Sequence, residues 1–199
     1  MSKVFTIGHS NHTFDNFLQL LQKYDVNCVC DVRSTPLSRF ASQFNRERLK
    51  SSLQTQGISY IFFGNEFGAR RKEEDLYTDG IVDFDKVAKT DVFLNGIKRI
   101  QDGIEKGYRI AFMCAEKDPL DCHRTLLVAR KLTTMGISIE HILSDASVKT
   151  QQQIEKELFI KYCPNQSILG SLDTSAPIDL LDMAYRKAND KIGYRKVLK

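Results

Sequence analysis

A chain of 199 residues with 42% hydrophobic and 27% charged side chains has the size and composition of one globular domain, far from the low-hydrophobicity signature of disorder. Its 29 basic and 25 acidic residues leave a net charge of +4, which permits phosphate or nucleic-acid binding without requiring it. No apolar run approaches the roughly 20 residues that span a bilayer, and the start MSKVFTIGHS carries no signal-peptide core, so a cytoplasmic protein without a membrane partner is expected. There the odd set of five cysteines fits reduced thiols better than disulfides.

VFTIG (4–8) reads as a buried strand. The stretch TFDNFLQLLQKY reads as a helix with Thr13 as N-cap, because Phe14, Phe17, Leu18 and Leu21 recur at helical spacing. VNCVCDV is a second strand in which Cys28 and Cys30 are small core residues, and Pro36 makes RSTPLSRF a loop. A short helix, NRERLKSSLQTQG, precedes a third strand, ISYIFFG. Residues 64–84 then break the pattern for longer than an ordinary connection, which predicts a functional or mobile segment such as a lid. VFLNGIKRIQDGIEKG is a helix, YRIAFMC a fourth strand, CHRTLLVARKLTTMG a helix, ISIEHIL a fifth strand, and SVKTQQQIEKELFIKYC a helix ended by Pro164. From about residue 165 the pattern loosens into a tail with one amphipathic stretch, Ile178 to Tyr185, followed by Arg186, Lys187, Lys191, Arg195, Lys196 and Lys199.

This alternation predicts an α/β fold, a Rossmann-like three-layer sandwich of about five mainly parallel strands with helices on both faces. Residues 1–164 form the α/β domain and 165–199 a basic, partly helical extension. The order of the strands is not fixed by this pattern.

Ligands of open α/β sheets bind beyond the carboxyl ends of the strands. Here those positions are polar: His9 and Ser10 after the first strand, Asp31, Arg33, Ser34 and Ser38 after the second, and Cys114 and Glu116 after the fourth, followed by Cys122, His123 and Arg124. With Asp121 as N-cap, the last three would occupy a helix start, which favours anions. Arg33 and Arg124, with His9, Ser10 and Ser38, are candidate anion-binding groups, although a hydroxyl beside Pro36 also suits a rigid turn. Glu116, Asp31, His123 and Cys122 are candidate catalytic groups for acid–base or nucleophilic work; for Asp31 the alternative is an ion pair with Arg33. Cys114, Cys122 and His123, with His9, Asp31 or Glu116, are candidate ligands for zinc or iron. Nine residues separate Cys114 from Arg124, which does not match the Cys-x5-Arg loop of phosphatases and rhodaneses, and a Cys114/Cys122 redox pair would be wider than a CxxC switch. Gly64 and Gly68 with Arg70 and Arg71 offer a phosphate-contacting loop, while Tyr60, Phe62, Phe63 and Phe67 are either base-stacking or buried aromatics.

The segments TIGHS, DVRSTPLSRF, GISY, CAEKDPLDCHRTLLVARKL and EHI together resemble the bacterial and archaeal family called domain of unknown function 488, over roughly residues 3 to 143. The family pattern includes Asp31, Arg33, Pro36, Ser38, Cys114, Glu116, Cys122, His123 and Arg124. Where many members carry a glycine pair, this chain has Asn65, Glu66 and Phe67 between Gly64 and Gly68.

Two functional readings remain open. One is a hydrolase or transferase acting on a phosphate-bearing nucleotide or nucleic acid at the carboxyl edge of the sheet. The other is a non-catalytic metal- or nucleic-acid-binding module in which Cys114, Cys122 and His123 hold the ion and the basic tail contacts nucleic acid.

Overall fold

The computed structural model describes residues 3–164 and 178–196. Among them, strands β1 (Lys3–Gly8), β2 (Cys28–Asp31), β3 (Ser59–Phe62), β6 (Ile110–Cys114), β7 (Ser138–Ile142) and β8 (Val148–Thr150) build a sheet in the order β3-β2-β6-β1-β7-β8. The first five are parallel, as the sequence predicts, and β8 adds an antiparallel edge. A separate two-stranded hairpin joins β4 (Tyr77–Thr78) to β5 (Ile81–Val82).

Alternating side chains divide the core into two layers, as the period of a strand requires. On one face Phe5, Ile7, Val29, Ala111 and Met113 meet helices α1 (Phe14–Lys23) and α2 (Arg46–Gln54) through Phe17, Leu21, Leu49 and Leu53. On the other face Val4, Cys28, Cys30, Phe112 and Cys114 pack against α5 (Asp91–Glu105), α6 (Arg130–Thr134), α7 (Gln151–Tyr162) and α8 (Ile178–Ile192).

Four sequence expectations change. The helix expected from Ser147 begins only at Gln151, because Thr150 forms a capping box with Gln153 and the three residues before α7 pair with β7 instead. Segment 64–84 is not a free lid: it folds into α3 (Gly64–Phe67), a 3₁₀ turn, the β4–β5 hairpin and the start of α4 (Phe84–Val87), with Phe67, Leu76, Val82 and Phe84 buried. The helix after Cys122 opens as a π-helix, Arg124–Ala129, before continuing as α6. The amphipathic stretch of the tail is the start of α8, which buries Ala184, Tyr185 and Ala188 in the core, while residues 165–177 and 197–199 lie outside the described residues.

A buried polar chain ties α8 to the sheet. Arg124 Nε donates to Thr6 Oγ1 (3.4 Å), the Thr6 hydroxyl to His141 Nδ1 (2.8 Å), and His141 Nε2 to Gln151 Oε1 (2.8 Å). Gln151 Nε2 donates to the Tyr185 hydroxyl (2.7 Å), which donates to Glu155 Oε1 (2.8 Å). Every donor points the same way, from a buried cation to a carboxylate, and burial holds His141 neutral by lowering its pKa to about 3. Removing one partner of such a chain strands another. Tyr185→Phe is therefore expected to destabilise the fold by about 1–3 kcal/mol, read as a lower urea midpoint at unchanged slope; an unchanged midpoint would show the chain contributes nothing.

Candidate metal centre

The strand order sets β6 between β2 and β1, so the three polar strand ends anticipated from the sequence are neighbours at one edge. Backbone bonds stitch them together: His9 N–H donates to Cys114 O (2.8 Å), Ser10 N–H to Ala115 O (3.0 Å) and Val32 N–H to Met113 O (3.1 Å). Gly8 makes this approach possible, since a Cβ there would lie 1.9 Å from Glu116 O.

Beyond β6 the chain turns through Pro119–Asp121, capped by Asp118, whose Oδ1 accepts from Leu120 N–H (2.8 Å). Asp121 pairs with Lys161 instead of capping the next helix. The capping position belongs to Cys122: its backbone is extended, its carbonyl accepts from Thr125 and Leu126 N–H, and its sulfur accepts from Arg124 N–H at 3.4 Å.

Here Cys114 Sγ, a Glu116 oxygen, Cys122 Sγ and a His123 ring nitrogen all come within 4.8 Å of one another. His123 Nε2 donates to the Val32 carbonyl at 2.9 Å, which turns Nδ1 toward Cys114 Sγ, 3.7 Å away. Cys122 Sγ donates to Glu116 Oε2 at 3.0 Å. Burial raises the Cys122 thiol, but the hydrogen bond from Cys114 and the charges of Arg124 and His123 outweigh it, so its pKa lies well below that of a free thiol. Burial, reinforced by Cys122, pushes Cys114 well up. Although Glu116 presents surface to solvent, burial of its carboxyl, and then Cys122, raise its pKa. Burial lowers His123, and Cys122 more than reverses this. The lowered Cys122 thiol and the raised His123 ring thus favour opposite charges side by side, a polarity that a bound cation can replace.

The other expected site residues take different roles. Asp31 accepts from Arg33 N, Nε and Nη2 and from the Tyr60 hydroxyl, which fills the four acceptor positions of a carboxylate and leaves none for general-base work. Arg33 spends four of its five N–H donors on Asp31, His9 Nε2 and Phe44 O, leaving one on Nη1. Arg124, fully buried, donates to the carbonyls of Glu116 (2.6 Å) and Lys117 (3.2 Å), so it holds the loop rather than an anion. Ser38 Oγ accepts from Phe40 and Ala41 N–H, the rigid-turn alternative. Ser10 adopts φ 45°, where its backbone serves the Ala115 contact. Gly68 presses against Ser34, and Arg71 caps α3 through the carbonyls of Asn65 and Glu66, so this loop packs rather than cradles phosphate. Phe63 and Phe67 are buried. The basic tail is locally engaged: Lys187 bonds Tyr162 O, Arg195 bonds Asp190 O and Lys196 pairs with Glu74.

A cavity of about 270 Å³ opens beside the cluster, lined by Cys114, Glu116 and His123 together with Arg33, Arg70 and Tyr194. Tyr194 escapes sequence reasoning because it arrives from the far end of the chain: its carbonyl accepts from Val82 N–H, joining residues 194–196 to the β4–β5 hairpin. Its ring then lies under the Arg70 guanidinium at 5.2 Å.

A family model described as Domain of unknown function DUF488 matches residues 13–131. The chain belongs to this family. The matched segment contains Asp31, Arg33 and all four members of the cluster. Neither curated proteins nor solved structures yield a match. Among the described residues no helix is long and apolar enough to cross a membrane.

His9 supplies a pH test of this edge. Burial, and then Arg33, lower its pKa to about 4, while its Nδ1 bonds Ser10 O and its ring stacks on Phe44. The unfolded chain takes up a proton near its ordinary 6.5 that the folded one refuses. The stability His9 contributes is therefore complete above about pH 6.5 and lost as pH falls toward 4, a change of about 3 kcal/mol. Melting curves in chelator should decline across this window, and His9→Gln should flatten the decline; identical profiles would refute the assignment.

Proposed function

We propose that the chain is a metal-binding module, with Cys114, Glu116, Cys122 and His123 as ligands and zinc or iron as the ion. The approach of four donor atoms to within 4.8 Å carries this reading. A tetrahedral site with bonds of about 2.0–2.3 Å sets its ligands about 3.3–3.8 Å apart, so small side-chain rotations close the cluster. The hydrogen bond from His123 Nε2 to Val32 O is the outer-shell support that ligating histidines use to fix their tautomer. Two thiols, an imidazole and a carboxylate together suit zinc or iron rather than magnesium or calcium.

The cavity supports a second reading, catalysis on an anionic ligand such as a phosphate-bearing nucleotide. Held by Cys114, Cys122 and His123 alone, a bound ion would keep a position open and supply Lewis acidity. The free Nη1 hydrogen of Arg33 and the Arg70 guanidinium would bind the anion, and Glu116 would hold or move a proton at its carboxyl oxygen.

Elemental analysis of tag-free protein purified without chelator is expected to find about one zinc or iron per chain, lost in Cys114→Ser/Cys122→Ser and reduced at least ten-fold in affinity by His123→Ala. Because the cluster binds protons where it would bind the ion, adding zinc to the stripped protein in weak buffer should release protons. Metal content equal in wild type and the double cysteine variant would overturn the assignment.

A further inference from the structure

We propose that the loop from Thr35 to Asn45, between β2 and α2, is a binding surface for single-stranded nucleic acid, with Phe40 as a stacking platform and Arg39, Arg46 and Lys50 as phosphate contacts. The inference does not depend on the metal centre.

Its first support is a ring that folding leaves in water. Phe40 is 100% exposed and Leu37 71%, although burial of either would stabilise the fold. The loop that carries them is nevertheless well built. Ser38 Oγ accepts from Phe40 and Ala41 N–H, Asn45 Oδ1 accepts from Ser38 N–H (2.7 Å), and Arg46 N–H donates to Pro36 O (3.0 Å). Ala41 and Phe44 anchor it in the core. Hydrogen bonds therefore hold an apolar ring outward.

The second support is charge. Arg39, Arg46, Arg48 and Lys50 face a single acid, Glu47, in this part of the chain. Arg39 and Lys50 are exposed and have no ion-pair partner among the described residues, while Arg46 Nε lies 3.6 Å from Glu47 Oε1 at the surface. Arg46 and Lys50 are four residues apart on one side of α2. The Arg46 guanidinium already lies over the Phe62 ring at 4.4 Å.

These features select the occupant. Two apolar side chains are too few for the buried centre of a protein interface, and a second copy would set cations against cations. A single strand offers both what an exposed ring stacks on and what guanidinium groups bind, since every base has a π-face and every linkage a charge. The surface also leads to the cavity, because Ser34, directly before the loop, and Thr35, its first residue, line it.

The test is fluorescence anisotropy of a labelled oligothymidylate with the full chain across a salt series. Wild type should bind, more weakly as salt rises. Phe40→Ala and Phe40→Leu should each weaken binding roughly ten-fold, Phe40→Tyr should retain it, and Arg39→Gln/Lys50→Gln should weaken it with a shallower salt slope. Melting temperatures should stay unchanged, because the replaced side chains are exposed. Absence of binding at low salt, wild-type affinity in Phe40→Ala, or equal affinity for duplex would overturn the proposal. So would full binding by Phe40→Leu, or Phe40-dependent binding to anionic vesicles without binding to the oligonucleotide, since both mark an apolar rather than a stacking contact.

Discussion

The Arg124 guanidinium under the 114–122 loop is the contact on which the site depends. It is fully buried, its partners are the carbonyls of Glu116 and Lys117 and the Thr6 hydroxyl, and no carboxylate pairs with it among the described residues. A buried cation in that setting needs negative charge nearby. The lowered pKa of Cys122 is one answer the fold gives. Two thiolates and a carboxylate around a divalent ion would leave one net negative charge, which Arg124 balances. The same side chain thus shapes the loop by its hydrogen bonds and sets its electrostatics by its charge.

The π-helix directly after His123 belongs to the same arrangement. All six residues from Arg124 to Ala129 are buried, because β6, α3, α4 and α8 pack around the segment, whereas an amphipathic surface helix turns part of its circumference to solvent. Such segments are rare and concentrate at functional sites. Here it begins one residue beyond a candidate ligand, and Arg130, at the start of α6, resumes contact with the surface through Asp85 and Asp182.

Much of this was legible in the sequence because apolar runs report burial directly. VFTIG, VNCVCDV, ISYIFFG, YRIAFMC and ISIEHIL are all strands of the sheet. The edge strand β8 was hidden, since three residues joined to a helix carry no period of their own. The position of β6 between β2 and β1 was hidden too, because insertion of a late strand between early ones leaves no local trace. In the site, the density of Cys114, Glu116, Cys122 and His123 in one short segment marked the cluster, and the Asp31–Arg33 ion pair was one of two alternatives from spacing alone. The contacts of Arg124 are not legible in the sequence: a helix-start arginine suits an anion equally well, and only the path of the loop places carbonyls within its reach. Tyr194 was invisible, since its approach depends on a hairpin formed with residues more than a hundred positions earlier in the chain.

The strand order also separates inheritance from folding. The family segment, residues 13–131, begins after β1 and ends before β7. Yet β1 lies in the interior of the sheet, paired on one side with β6 and on the other with β7, and its last residue is opposite Cys114. Excising the matched segment would strip the candidate ligand strand of a neighbour, expose one long edge of β6, and remove both His9 and the glycine against which the ligand loop closes. The segment that the family model matches is therefore smaller than the sheet that carries the candidate site, whose extent is set by the pairing of strands.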